Sequence, residues 1–178
     1  EDVWAGYAML NQKLTERLSI LAGLRLENTR LETQGNRVIY IEEDEDAGIE
    51  EGIEVESVSD ENSYTNILPG VHFKYDLNNS TVLRFAWTNT LARPNYADLI
   101  PRSEIVNEDR EVIVGNPELD PTTSMNFDLN AEHYFESVGI ISGGVFYKKI
   151  NDFIYTFITE APNDAYGAGT AGYDVFQP

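Results

Sequence analysis

Cysteine is absent from the 178 residues, which excludes disulfide staples, thiolate metal sites and cysteine nucleophiles. Basic residues are scarce: 12 Lys and Arg stand against 31 Asp and Glu, for a formal net charge of -19. A nucleic-acid partner demands a basic face, so none is expected. No apolar run approaches the roughly 18 residues that a transmembrane helix needs; the longest are short stretches such as Leu18 to Leu26 and Val138 to Tyr147. Membrane-crossing strands are not excluded by that. Neither a basic n-region nor an apolar h-region follows Glu1, so no secretory signal is expected within the chain. Gly-x-Ser-x-Gly, a phosphate-cradling glycine loop and His-Glu-x-x-His are all missing, and the two histidines, His72 and His133, are isolated, with no plausible nucleophile beside either. An enzyme, a metal site and a cofactor are therefore not expected.

What is present is alternation. Six segments carry apolar residues at every second position, rich in Tyr, Phe, Val, Ile, Leu and Thr, which marks strands rather than helices. Val3, Ala5, Tyr7 and Met9 are assigned one face of the first segment; Leu18 to Leu26 at even positions one face of the second. Thr65, Ile67, Val71, Phe73 and Tyr75 mark the third, Leu83, Phe85 and Trp87 the fourth, Met125, Phe127, Leu129, Ala131 and Phe135 the fifth, and Ile141, Val145 and Tyr147 the sixth. Pro69 falls inside the third and removes a ladder donor, which predicts a bulge there.

Two further patterns choose among all-β architectures. Arg25, Glu27, Lys74, Arg84, Asp128, Glu132 and Lys148 all alternate away from the apolar set. A lipid-facing Lys or Arg at mid-bilayer costs roughly 2–4 kcal/mol, so charge on one face only suits a barrel that is apolar outside and polar inside. The connections also alternate, short over 13–17, 76–80 and 136–138, long over 33–63, 91–123 and 160–178. An outer-membrane barrel sorts its connections in this way, with tight periplasmic turns and long extracellular loops. The expected fold is therefore all-β: an antiparallel transmembrane β-barrel segment of about six strands in hairpin order, occupying 1–178 and too short to close a large barrel. Aromatics near the short turns, Phe73, Tyr75 and Phe135, suit an interfacial girdle. Alternation alone also fits a half-buried soluble β-sandwich, and a passive porin-like wall would show the same strands.

The most specific words are Thr90 to Pro101, TLARPNYADLIP, and Gly115 to Leu129, GNPELDPTTSMNFDL, followed by Gly144 to Ile154, GVFYKKINDFI. This set resembles the C-terminal half of the barrel of TonB-dependent outer-membrane receptors. Arg93-Pro94 matches the dipeptide that closes a rising strand there. Gly115, Asn116, Pro117, Leu119 and Pro121 match the element leading into the next descending strand. Prolines at these places fix φ and remove donors where the chain leaves or enters a sheet. The resemblance implies a large barrel of the roughly 22-stranded, plugged class, set in outer-membrane lipid of a Gram-negative bacterium. It also implies active uptake of an extracellular nutrient, carbohydrate or siderophore-like, and energy from the TonB complex through a plug domain that this sequence does not contain.

Asn95, Tyr96, Asp98 and Arg102 follow Arg93-Pro94 in a loop expected over the lumen mouth and are the candidate ligand contacts, mixed polar and aromatic groups that would suit a sugar. The plain alternative is that they pack the loop. Between Glu42 and Glu61 stand eleven acids and no Lys or Arg, a block that repels itself and reads as a solvated loop. Glu42 to Asp46 offers oxygen ligands but lacks the ordering of a calcium loop. Gly167, Gly169 and Gly172 read as a flexible closing segment.

Overall fold

The computed structural model describes residues 1–41, 52–106, 108–137, 139–166 and 169–178. Six long strands build a wall: β1 (Asp2–Lys13), β2 (Leu18–Ile41), β3 (Gly52–Asn78), β4 (Thr81–Ala92), β7 (Thr122–Phe135) and β8 (Gly139–Asn151). They lie in the spatial order β1-β2-β3-β4-β7-β8, every neighbouring pair antiparallel. The chain is all-β as its alternation predicts, but six purely antiparallel strands is an undercount. Four short strands, β5 (Ser103–Val106), β6 (Glu111–Val114), β9 (Phe157–Glu160) and β10 (Asp174–Gln177), extend the sheet from β2 in the order β5-β6-β10-β9. The β2–β5 and β6–β10 pairs are parallel, so the ten-stranded sheet is mixed. Segments of four residues lie below the length at which alternation is readable, which is why these strands pass for loop.

Cross-strand partners share a face of a sheet, so the register assigns the two faces. On one face Leu24 pairs with Pro69, Ala22 with Val71, Phe73 with Phe85, Leu129 with Phe85 and Val145 with Leu129. A row of rings, Phe73, Phe85, Phe127 and Tyr147, crosses four strands there, with centroids 6.2, 6.5 and 6.4 Å apart. Those separations fall in the range of favourable tilted aromatic pairs. Arg25, Glu27, Lys74, Arg84, Asp128, Glu132 and Lys148 occupy the opposite face, as their alternation predicts. The first segment is corrected: Tyr7 pairs with Arg25, Ala5 with Glu27 and Met9 with Gly23. Val3, Ala5, Tyr7 and Met9 therefore stand on the polar face, and Trp4, Gly6, Ala8 and Leu10 on the apolar one. Both parities of this strand are apolar, so its pattern carries no face information, and a one-residue slip exchanges the faces.

Pro69 carries no register shift against β2; the irregularity lies between Asp76 and Asn78. The missing donor is accommodated differently. Pairing of β3 with β4 begins only at Gly70, and the Pro69 carbonyl accepts from the Asn89 side-chain amide at 3.1 Å. The short turns use side-chain acceptors: Thr15 Oγ1 takes the Leu18 N–H at 3.0 Å and Asn78 Oδ1 the Ser80 N–H at 2.9 Å.

The 33–63 connection is largely strand, because β2 runs to Ile41 and β3 starts at Gly52. Their hairpin would extend about 80 Å at roughly 3.3 Å per residue, far more than a bilayer needs. Two of its acids meet arginines across the ladder, Arg37 with Glu56 at 3.5 Å and Arg30 with Glu61 at 3.2 Å, which offsets part of the repulsion expected from sequence, including that of Glu61 with Glu32 directly opposite. Glu42 to Asp46 lie outside the described residues. The closing segment is likewise not all loop, since it contains β10; Gly169 and Gly172 adopt positive φ of 78° and 73° within it, and Gly167 is not described.

The wall has no second sheet over its apolar face among the described residues, and Leu129, Ile141, Val145 and Tyr147 are exposed there. The tightest hydrophobic cluster is instead in the outlying strands, where Val112, Ala161 and Val175 are buried against Ile105, Val114, Tyr166 and Tyr173. The long connections thus fold into a small capping sheet with its own core.

Candidate functional site at the mouth

The polar face is threaded by ion pairs at moderate exposure, Arg84 with Glu132 at 3.0 Å and Lys74 with Asp76 at 2.9 Å. Two hollows lie along it. One of about 470 Å³ is bordered by His72, Lys74, Arg84 and Asp128. The other, of about 380 Å³, has the paired glycines Gly23 and Gly70 as its floor and Tyr7, Met9 and Leu68 around it. These surfaces offer charge of both signs together with apolar contact.

Beyond Ala92 the chain leaves β4 and returns as β7, and this excursion lies against the upper part of β2. Glu27, Thr29 and Leu31 are buried on β2's polar face. Farther along the same face, a Cβ on Gly35 would meet the Pro101 carbonyl oxygen at 2.4 Å. Only glycine admits that approach. On its other side the excursion rests on Gly115, where a Cβ would lie 1.9 Å from the Ile100 carbonyl oxygen. Gly115 N–H donates to Arg102 O at 3.1 Å and Asn116 N–H to Asp98 O at 2.6 Å. The two sequence words that carry the resemblance are therefore one packed unit. Pro94 and Pro121 are buried at its two ends, Pro117 O accepts from Asn62 Nδ2 at 3.3 Å, and Leu119 N–H closes a turn on Asn116 O at 3.4 Å.

An ionic latch ties this unit to the wall. Arg93 Nη2 donates to Glu27 Oε2 at 2.5 Å, and Arg25 Nε donates to Glu27 Oε1 at 2.5 Å. Arg93 also lies 3.4 Å from Glu1. Glu27 is buried with both oxygens paired, the arrangement that makes a buried carboxylate tolerable. Arg93→Met should loosen the excursion by about 1–2 kcal/mol, below the roughly 3–5 kcal/mol of a fully buried pair, because Arg93 is 33% exposed. This reads out as a five- to thirty-fold faster proteolysis within 93–121, about the factor that such an energy sets. Unchanged cleavage would show that the pair does not hold the unit down.

The candidate contacts divide. Asn95 precedes the single helical turn α1 (Tyr96–Leu99) and its amide donates to Asp98 at 3.3 Å. Tyr96 is exposed and its hydroxyl donates to the Glu1 carboxylate, which pushes the phenol above its ordinary pKa. Arg102 is turned away to Glu104, at 3.2 Å, and its Nε is buried without a partner. Asn95, Tyr96 and Asp98 thus form one group near the latch, and Arg102 does not join it. Sequence reading passed over Glu27, Arg25 and Gly35 as parts of this site; Glu27 and Arg93 are 66 residues apart, and nothing local signals their meeting. The expectation that neither histidine has a nucleophile beside it is corrected for one: Thr81 Oγ1 is 2.9 Å from His133 Nδ1. Phe135 lies edge-on to that ring at 4.6 Å, and among the described residues no carboxylate hydrogen-bonds to it. Among the described residues no group of three or more His, Asp or Glu side chains is placed to hold a metal.

Residues 1–177 match the family model described as TonB dependent receptor-like, beta-barrel. No curated protein matches. Among solved structures, the hemophore receptor HasR of Serratia marcescens, a double mutant in complex with its hemophore HasA and heme, superposes with a TM-score of 0.70 at 14% identity. That match covers 98% of this chain and 29% of HasR. The ferric enterobactin receptor PfeA, in complex with BCV-L6, gives a TM-score of 0.52 at 13% identity, over 98% of this chain and 30% of PfeA. The chain thus spans less than a third of either protein.

Proposed function

The chain belongs to the TonB-dependent receptor-like β-barrel family, and from that premise we propose that it forms part of the wall and mouth of an outer-membrane receptor for active nutrient uptake. The apolar face meets lipid, the polar face lines the lumen, and the long connections stand outside the cell. One observation carries this reading: the register puts Arg25, Glu27, Lys74, Arg84, Asp128, Glu132 and Lys148 on one face and the four-ring aromatic row on the other, with Lys149, near the end of β8, paired with Met125 on the ring side. A bilayer demands that division, and the exposed apolar side chains have no second layer over them among the described residues. Asn95, Tyr96 and Asp98 offer an amide, a phenol and a carboxylate to a ligand entering past the latch. The ligand is carbohydrate or siderophore-like, the role is transport rather than catalysis, and a plug domain elsewhere in the receptor couples to TonB.

The test is uptake. Cells that depend on the full-length receptor for growth on one nutrient should lose that growth when TonB is deleted. Growth that survives would make the protein a passive porin-like channel instead. Tyr96→Ala should then weaken ligand binding by roughly ten-fold, about 1.4 kcal/mol, the scale of one aromatic contact. Unchanged affinity would move the contact site elsewhere.

A further inference from the structure

Among the described residues, the capping strands have one uncovered face and one unpaired edge. Along the ladder, Glu160 pairs with Asp174 and Asp174 with Glu111, which sets three carboxylates side by side across β9, β10 and β6. Like charges placed directly opposite one another are unfavourable. One step along, on the same face, Ile158 pairs with Phe176 and Phe176 with Ile113, an apolar row beside the acidic one. The alternate positions Val112 and Val175 are buried in the cap's core, so these two rows face outward. Arg110, the basic residue nearest in sequence to this face, places its guanidinium 5.1 Å from the Tyr173 ring centroid and makes no ion pair with the row among the described residues. β9 is the last strand of the sheet, pairs only with β10 among the described residues, and is exposed throughout. Phe153 and Tyr155, both 66% exposed, lead into it.

The surrounding charge has the same sign. Among the described residues, the long connections and strand ends within 28–63, 92–122 and 151–178 hold 16 acidic and five basic residues, a net of -11, whereas the other described residues are left with -1. We infer that the free edge of β9 docks a basic, extended polypeptide segment, which adds as a further strand and continues both rows. Opposite Glu160 and Ile158, which are two residues apart on one face, such a strand presents Lys or Arg and then an apolar residue two positions on. Main-chain hydrogen bonds supply the affinity, the two rows the selectivity, and the acidic mouth the steering.

The inference requires that in the full-length receptor the cap faces solvent and no other segment pairs with the outer edge of β9, so it is tested apart from transport. Full-length receptor in detergent is titrated with a fluorescent peptide of repeating Lys-Thr-Val-Thr. Binding is expected, at least ten-fold weaker when Glu replaces every Lys in the peptide, and at least ten-fold weaker when alternate peptide nitrogens on the docking edge are methylated. The triple change Glu160→Gln, Asp174→Asn and Glu111→Gln should weaken it similarly while the heat-shifted gel mobility of the folded barrel is retained. If that variant does not fold, the two altered peptides on the native receptor carry the test. Absence of binding, equal binding of the Glu peptide, or full binding of the methylated one overturns strand addition. The last would signify docking on charge alone. None of these outcomes bears on TonB-dependent uptake.

Discussion

Arginine at Leu129 should cost the receptor about 2–4 kcal/mol, while arginine at Asn130, the next residue of β7, should cost under about 1 kcal/mol. Leu129 lies between Phe85 and Val145 on the apolar face and is half exposed. In a bilayer its replacement would place a guanidinium among acyl chains. Asn130 pairs with Arg84 and Gly144 on the polar face, where water and the neighbouring Glu132 receive a new cation and the like charge of Arg84 opposite sets the remaining cost. Strand β1 sharpens the contrast. Ala8→Arg should be costly and Met9→Arg tolerated, the reverse of what the residues of β1 suggest when read alone. The measurement is the urea midpoint of the full-length receptor in lipid vesicles, followed by the gel shift between folded and unfolded barrel. Equal losses at Leu129 and Asn130 would sink the assignment of lipid and lumen. Equal losses at Ala8 and Met9 would sink only the register of β1.

Gly115→Ala should unseat the excursion between β4 and β7. The added Cβ falls 1.9 Å from the Ile100 carbonyl oxygen, a backbone atom that no rotamer change can move. Overpacking of a well-fitted site costs typically 1–3 kcal/mol and sometimes more, and here relief requires the two halves of the motif to part. The Asn116 to Asp98 hydrogen bond, 2.6 Å in the intact protein, should be lost with it. Gly35→Ala presses on the same segment from the other side, against the Pro101 carbonyl oxygen at 2.4 Å, and should act alike. Gly143→Ala, where a Cβ would meet nothing within 4 Å, is the control. Protease cleavage within 93–121 should rise for the first two variants and not for the third, with the urea midpoint of the wall unchanged in all three. Cleavage unaltered in Gly115→Ala would mean that the excursion does not depend on this contact.

Much of the wall was legible in the residues because period two is a local property. Where one parity is apolar and the other carries charge, as in Leu18 to Glu27 or Leu83 to Trp87, each strand declares its own faces, and a mid-strand Lys or Arg leaves no second choice. The short turns were legible for the same reason, since Thr15 and Asn78 act on N–H groups two or three residues away. The Arg-Pro and Gly-Asn-Pro words stood out as words. Their meaning did not, because Gly115 is obligatory only on account of a carbonyl 15 residues back, and Gly35 on account of one 66 residues ahead.

By itself the sequence determined an all-β chain whose clearest strands carry their charge on one face, connections alternately short and long, and acids concentrated in the long ones, all of which follow from near-neighbour chemistry. Tertiary structure decided the rest. It placed β1 by pairing Tyr7 with Arg25, kept the acidic run beyond Gly52 in a ladder by setting arginines across from it, and joined Glu27 to Arg93. It also folded the long connections into four short strands around Val112 and Val175. Each of these depends on which distant residue stands opposite. Opposition is set by register and burial across the whole sheet, a quantity that no single segment contains.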